Sequence, residues 1–155
     1  MVPTQECLAQ AIEMALRWLR RRDYSQQEMT QRLLAKGFSE ETVQQAIEWL
    51  VEERWLSDTR LANRLVQKFT ESQPSGIARI ERELEQRGLA PPESLQIDEE
   101  TRAVQALTQR FGEPPEHADA RTVARWFRFL LQRGFEPEVA ENALHRWNPA
   151  LNETL

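Results

Sequence analysis

The side chains of this chain that could do chemistry are few, and their spacing points to contact rather than to catalysis. Its 155 residues hold one cysteine, Cys7, and two histidines, His117 and His145. A lone cysteine cannot close an internal disulfide, and two separated histidines beside it give no familiar zinc-ligand spacing. Nothing basic stands next to Cys7 to lower its pKa, so it reads as an ordinary thiol near the start of a helix. His145 follows Glu141 by four residues, which suits a side-chain pair on one helix face but offers no third metal ligand. No Ser/His/Asp, Cys/His, phosphate-loop or paired-carboxylate constellation can be assembled. No catalytic residue, metal or cofactor is expected.

What does recur is arginine at helical spacing. Arg60, Arg64 and Lys68 stand four residues apart, which aligns them in one row on a helix. Arg121, Arg125 and Arg128 repeat the pattern, with Glu116 and Asp119 nearby to dilute it, and Arg79 and Arg82 lie three apart among Glu81, Glu83 and Glu85. Such rows can meet phosphates or an acidic protein surface, and each is also consistent with a solvated face or with pairing inside the helix. Arg17, Arg20 and Arg21 suit the negative end of a first helix equally well. Of the five tryptophans, Trp18, Trp49, Trp126 and Trp147 fall at or beside apolar helical positions and read as core. Trp55, in a turn before Ser57, is the exception, placed where it could stack on a base.

The overall charge limits these options. Lys and Arg number 20 against 25 Asp and Glu, a net charge of −5, which counts against coating nucleic acid by bulk attraction. No run approaches the roughly 18 apolar residues of a membrane span, and the N-terminus lacks a signal-peptide pattern, so a cytoplasmic protein without a membrane partner is expected.

The elements that must carry these rows are helices. Leu8, Ile12, Ala15, Leu16 and Leu19 recur at three- and four-residue spacing, and no stretch alternates as a strand would, so the expectation is all-α with eight or nine helices. Ser25 and Glu28 have capping-box spacing, and Ser39 caps a third helix with Val43, Ala46, Ile47 and Leu50 on one face. Ser57 or Asp58 caps the next helix, which Pro74-Ser75-Gly76 breaks. A shorter helix runs from about Ile77 to Arg87, Pro91-Pro92 can start another, a further group begins near Asp98, and Pro137 sits in the first turn of the last helix.

Three helix ends share a pattern. Aligned on Gly37, Gly88 and Gly134, the residue four before is Leu33, Leu84 and Leu130, and eight before stand Met29, Ile80 and Trp126. The residue just before is Lys36, Arg87 and Arg133, and the residue just after is Phe38, Leu89 and Phe135. Three such matches, 51 and 46 residues apart, argue for a tandem array of three three-helix repeats over 4–53, 54–97 and 98–149. An elongated, curved molecule with positive φ at the three glycines is expected.

The same residues carry a resemblance. Arg22-Asp23-Tyr24-Ser25-Gln26-Gln27-Glu28-Met29, continued by Leu33 and Lys36-Gly37-Phe38, resembles the opening repeat of the RecX family of regulators. Trp55-Leu56-Ser57-Asp58-Thr59-Arg60-Leu61-Ala62 is similar to the family's aromatic-Leu-Asp-Asp element. Gly76 to Leu84 with Arg87-Gly88-Leu89 is similar to its Gly-x-x-x-Ile-x-x-Glu-Leu element. Arg110-Phe111-Gly112-Glu113 and Phe129 to Phe135 match its third repeat. The chain departs from the family at 69–75, where a basic run is common, and at Ile77, where a proline is common; both departures point away from DNA contact through that loop.

The resemblance implies a non-catalytic, monomeric regulator that binds filaments of the RecA recombinase and inhibits recombination with the associated ATPase and coprotease activities. Contact with single-stranded DNA inside the filament would be weak. The residues expected to meet the partner are Arg60, Arg64, Lys68, Arg79, Arg82, Arg121, Arg125 and Arg128. The competing reading is a helical module acting directly on single-stranded DNA, against which the acidic balance weighs.

Overall fold

A computed structural model describes residues 5–92 and 98–153 of the chain. Among the described residues there are eight α-helices and no strand. They are α1 (Gln5–Leu19), α2 (Gln26–Ala35), α3 (Glu40–Glu52), α4 (Asp58–Gln67), α5 (Ile77–Gln86), α6 (Glu99–Phe111), α7 (Ala120–Gln132) and α8 (Pro137–Trp147). A π-turn over Lys68–Ser72 prolongs α4, and a 3-10 turn over Pro149–Glu153 follows α8.

The helix starts follow local chemistry. The Ser25 hydroxyl accepts from the Glu28 amide at 3.1 Å while the Glu28 carboxylate accepts from the Ser25 amide at 2.9 Å, a complete capping box. Ser39 caps α3 through the Thr42 amide. Of the two candidates before α4, Ser57 is the cap, accepting from the Arg60 amide at 3.2 Å; Asp58 instead accepts from the Gln26 amide at 2.9 Å and ties the start of α4 to α2. Asp98 caps α6, Asp119 caps α7, and Pro137 occupies the first turn of α8.

The helix ends bear out the aligned pattern. Gly37, Gly88 and Gly134 have φ of 99°, 71° and 87°. Met29, Leu33, Ile80, Leu84, Trp126 and Leu130 are all buried, as are Leu89 and Phe135, with Phe38 half-buried.

By packing, the described chain forms two compact units, one of residues 5–63 with 84–92 and one of 64–83 with 98–153. The first has its core in Ala11, Ala15, Tyr24, Met29, Leu33, Val43, Ala46, Ile47, Leu50 and Leu56. Small alanines on α1 and α3 allow these helices to approach closely, and Arg87 returns to α2 with its Nη2 2.9 Å from the Glu28 carboxylate. The second unit packs α6, α7 and α8 around Ala103, Ala106, Leu107, Trp126, Leu130, Ala140, Ala143, Leu144 and Trp147, with the Trp126 and Trp147 rings edge-on at 4.9 Å. In that unit the Gly76 amide donates to the Arg133 carbonyl at 2.8 Å, and Glu99 accepts from the Ile77 amide at 2.7 Å, so α6 and the end of α7 both seat the start of α5.

The segment expected as a middle repeat, 54–97, contributes to both units. The helix expected to start at Pro91-Pro92 falls on 93–97, outside the described residues; Pro91 and Pro92 themselves are not helical.

Candidate functional site

The arginines of the second unit converge where α6 ends beside α7. Arg110 and Phe111, the last residues of α6, face Arg125, Arg128, Phe129 and Gln132 of α7 across a groove of about 510 Å³. Asp119 fixes the start of α7 by accepting from the Thr122 amide at 2.8 Å, and hydrogen bonds from the Thr122 side chain and then from its amide hold the Asp119 carboxyl below the ordinary range. Of the two carboxylates expected to dilute the arginine row, Asp119 is therefore engaged with the first turn of its own helix, and Glu116 is exposed and outside the groove lining. The three-residue step from Arg125 to Arg128 places both on the face that meets α6, and Phe111 stands edge-on to Phe129 at 5.2 Å to form the floor.

This groove concentrates positive charge. Among the described residues no carboxylate pairs with Arg110, Arg125 or Arg128. The Arg110 and Arg125 guanidinium groups both lie over the Phe111 ring, 5.3 and 5.5 Å from its centroid, so the ring holds them without neutralising them. Arg133, whose guanidinium is 5.0 Å from the Phe129 centroid, has its pKa lowered by burial and then by the like charges of Arg79 and Arg110. A larger groove of about 620 Å³ on the same unit is walled by Val123, Phe127, Leu144 and Leu151, and its ionisable lining is Glu141 and His145, with no Arg or Lys.

The residues expected from sequence divide accordingly. Arg125 and Arg128 line the groove, whereas Arg121 is exposed but outside its lining. Arg79 is half-buried, its guanidinium 5.1 Å from the Phe69 centroid and 3.4 Å from the Ser75 hydroxyl, so it holds the loop before α5. Arg82 is exposed with no side-chain partner among the described residues. Arg60 and Arg64 are exposed on α4, Arg60 in the first unit and Arg64 in the second. Lys68 lies just past α4, where it opens the π-turn: the Gln73 amide donates to its carbonyl at 2.9 Å, and its Nζ is 5.2 Å from the Phe69 centroid.

Arg110 and Phe111 were legible only as a family motif, because nothing local says which face of α7 the end of α6 will meet. Arg102 gave no signal at all. It is 4% exposed, its Nε donates to the Ser75 carbonyl at 2.9 Å, and Glu99 lies 4.0 Å from Nη2. Burial lowers its pKa, opposed by Glu99 and Asp98, and its role is to anchor the loop that precedes α5. Trp126 and Trp147 are core as expected, Trp18 is half-buried beneath Arg32, and Trp55 is exposed, but so is Trp49 at 37%. Among the described residues no group of three His, Cys, Asp or Glu side chains could hold a metal, and no helix is long and apolar enough to cross a membrane.

The fold defines a protein of helical three-helix domains, and one of its grooves is lined by arginines. Comparison with known proteins makes this specific. Residues 11–50 match the model of the first three-helix domain of RecX, and residues 98–144 that of the third. The chain is 32% identical to the regulatory protein RecX of Ralstonia nicotianae over 90% of its own length and 89% of that protein. It is 34% identical to the one from Trichlorobacter lovleyi over 81% and 87%. The crystal structure of RecX from Lactobacillus salivarius has the same fold, with a TM-score of 0.70 at 15% identity, covering 93% of this chain and 98% of that one. The chain belongs to the RecX family of regulatory proteins.

Proposed function

We propose that this chain is a non-catalytic regulator that docks, as a cytoplasmic monomer, on filaments of the RecA recombinase and inhibits recombination with the filament's ATPase and coprotease activities. Three three-helix repeats, the middle one over 54–97, form the docking body. The observation that carries this reading is the α6–α7 groove, where Arg110 and Arg125 lie over the Phe111 ring, Arg128 lines the same groove, and none of the three is paired with a carboxylate among the described residues. Guanidinium forks suit bidentate recognition of carboxylates on a partner, and water excluded by the rings strengthens each contact. Arg60, Arg64, Lys68, Arg79, Arg82 and Arg121 are accessory contacts in this reading.

Co-sedimentation with preformed recombinase filaments, with naked single-stranded DNA as control, tests it. Binding that requires the recombinase supports the proposal. Equal retention on DNA alone would move the chain to the single-stranded DNA-binding class, and no binding to either would end the filament reading.

A further inference from the structure

The turn after α3, in the first unit, is built on the plan of the glycine turns but without the glycine. Leu50 is fully buried four residues before it, and its carbonyl accepts from the Trp55 amide at 2.8 Å and the Leu56 amide at 3.1 Å. The glycine's slot is filled by Arg54 at φ 66°, the one non-glycine residue with positive φ among the described residues. A β-carbon in this left-handed conformation is destabilising relative to glycine. The next position also breaks the pattern: Leu89 and Phe135 are 4% and 3% exposed after their glycines, whereas Trp55 is 52% exposed.

Both departures serve one place. Arg54 and Trp55 border a groove of about 410 Å³ whose apolar wall is Leu16 and Leu19 from α1 and whose other cations are Arg20 and Arg60. The Arg54 carbonyl accepts from Nη2 of Arg60 at 3.2 Å, which holds that guanidinium at the turn. Asp23 is the single carboxylate of the lining, and among the described residues no carboxylate pairs with Arg20, Arg54 or Arg60. Three cations against one anion, around an indole and two leucines, are complementary to a carboxylate beside an aliphatic side chain.

We propose that the Arg54-Trp55 turn is an anchor site for an acidic–apolar segment of a protein partner, and that Arg54 is kept in a strained conformation for this contact. The aliphatic wall favours a leucine-like side chain over a nucleobase, and the chain's net charge of −5 opposes a polyanionic strand while leaving a short segment with one or two carboxylates acceptable. The site is separate from the α6–α7 groove and does not depend on the partner being a recombinase.

The test uses the full chain and a peptide alternating aspartate with leucine, followed by NMR of the Trp55 indole N–H, which detects binding in the millimolar range. Control peptides carry asparagine for aspartate or serine for leucine, and an oligothymidylate probes the nucleic-acid alternative. We expect the Asp/Leu peptide alone to shift the Trp55 signal. Arg54→Gly should melt higher by about 2–4 °C, the shift typical of one relieved backbone strain in a chain of this size, and should bind the peptide at least fivefold more weakly. Arg54→Lys, which keeps the strain but not the fork, should melt like the parent and bind weakly as well. No shift at Trp55, a shift with oligothymidylate but not peptide, or full affinity in a folded Arg54→Gly variant would each overturn the proposal.

Discussion

At the scale of single residues, position rather than type decides what a glycine does. Gly37 has open space around a would-be β-carbon, so its only demand is the left-handed φ, and Gly37→Ala should cost about 1 kcal/mol. A β-carbon at Gly134 would lie 2.6 Å from the Arg79 backbone nitrogen and 2.5 Å from its β-carbon, where α5 cannot retreat because Gly76 itself abuts the Gly134 carbonyl. Gly134→Ala should therefore lower the denaturant midpoint at least twice as much as Gly37→Ala; equal losses would mean the close approach carries no weight. The two positions look alike in sequence, which reveals φ through the helix-end pattern but not the neighbour across the unit. Glu28 makes a second residue-scale prediction. Burial pushes its carboxyl up, but hydrogen bonds from Arg87 and the Ser25 amide and the charges of Arg87 and Arg22 outweigh this and hold it below its ordinary 4.5. A depressed folded pKa gives stability that is complete above about pH 4.5 and lost as pH falls through the folded value. Glu28→Gln keeps the capping geometry but cannot ionise, so its melting temperature should fall less steeply below pH 4.5 than that of the parent, while lying below it at neutral pH.

At the scale of elements, what sequence made legible is what is settled within four residues. The Ser25 and Ser39 caps, the α5 limits and the proline at the start of α8 are all local hydrogen-bonding problems with local answers. The π-turn at Lys68–Ser72 is different. It sets Phe69 inward, 4% exposed, with its carbonyl accepting from the Ser75 amide at 2.8 Å, and nothing in the run itself signals the extra residue. For the same reason Arg125 and Arg128 were legible as a row, yet Arg110 was not, since its place depends on how α6 crosses α7. The capping box offers a direct check at this scale. Ser25 is fully buried, and Ser25→Ala removes the acceptor for the Glu28 amide, so stability should drop by about 1–2 kcal/mol. An unchanged melting curve would show that Glu28 and Arg87 alone hold the start of α2.

At the scale of the whole molecule, the acidic balance becomes a useful control, because any arginine reversal changes both a local contact and the net charge. Replacing Arg110, Arg125 and Arg128 by glutamate takes the chain from −5 to −11, each reversal contributing −2. Replacing the exposed Arg17, Arg21 and Lys36 gives the same −11 without touching the groove lining or any side chain assigned to the partner contact. General repulsion from an acidic partner would weaken both variants equally, while a docking groove would weaken only the first. We expect the groove variant to lose at least tenfold in filament affinity and the charge-matched control less than threefold, with both melting close to the parent because exposed helix positions tolerate change within about 0.5 kcal/mol. The parent's affinity should also fall as salt is raised from low to physiological ionic strength, as contacts between exposed charges are screened over about 8–10 Å, and the groove variant should have lost most of that salt dependence. The row of Arg60, Arg64 and Lys68, reversed in a third variant of equal charge, separates the remaining possibility. A loss confined to that variant would transfer the filament contact from the α6–α7 groove to α4 and the turn that follows it.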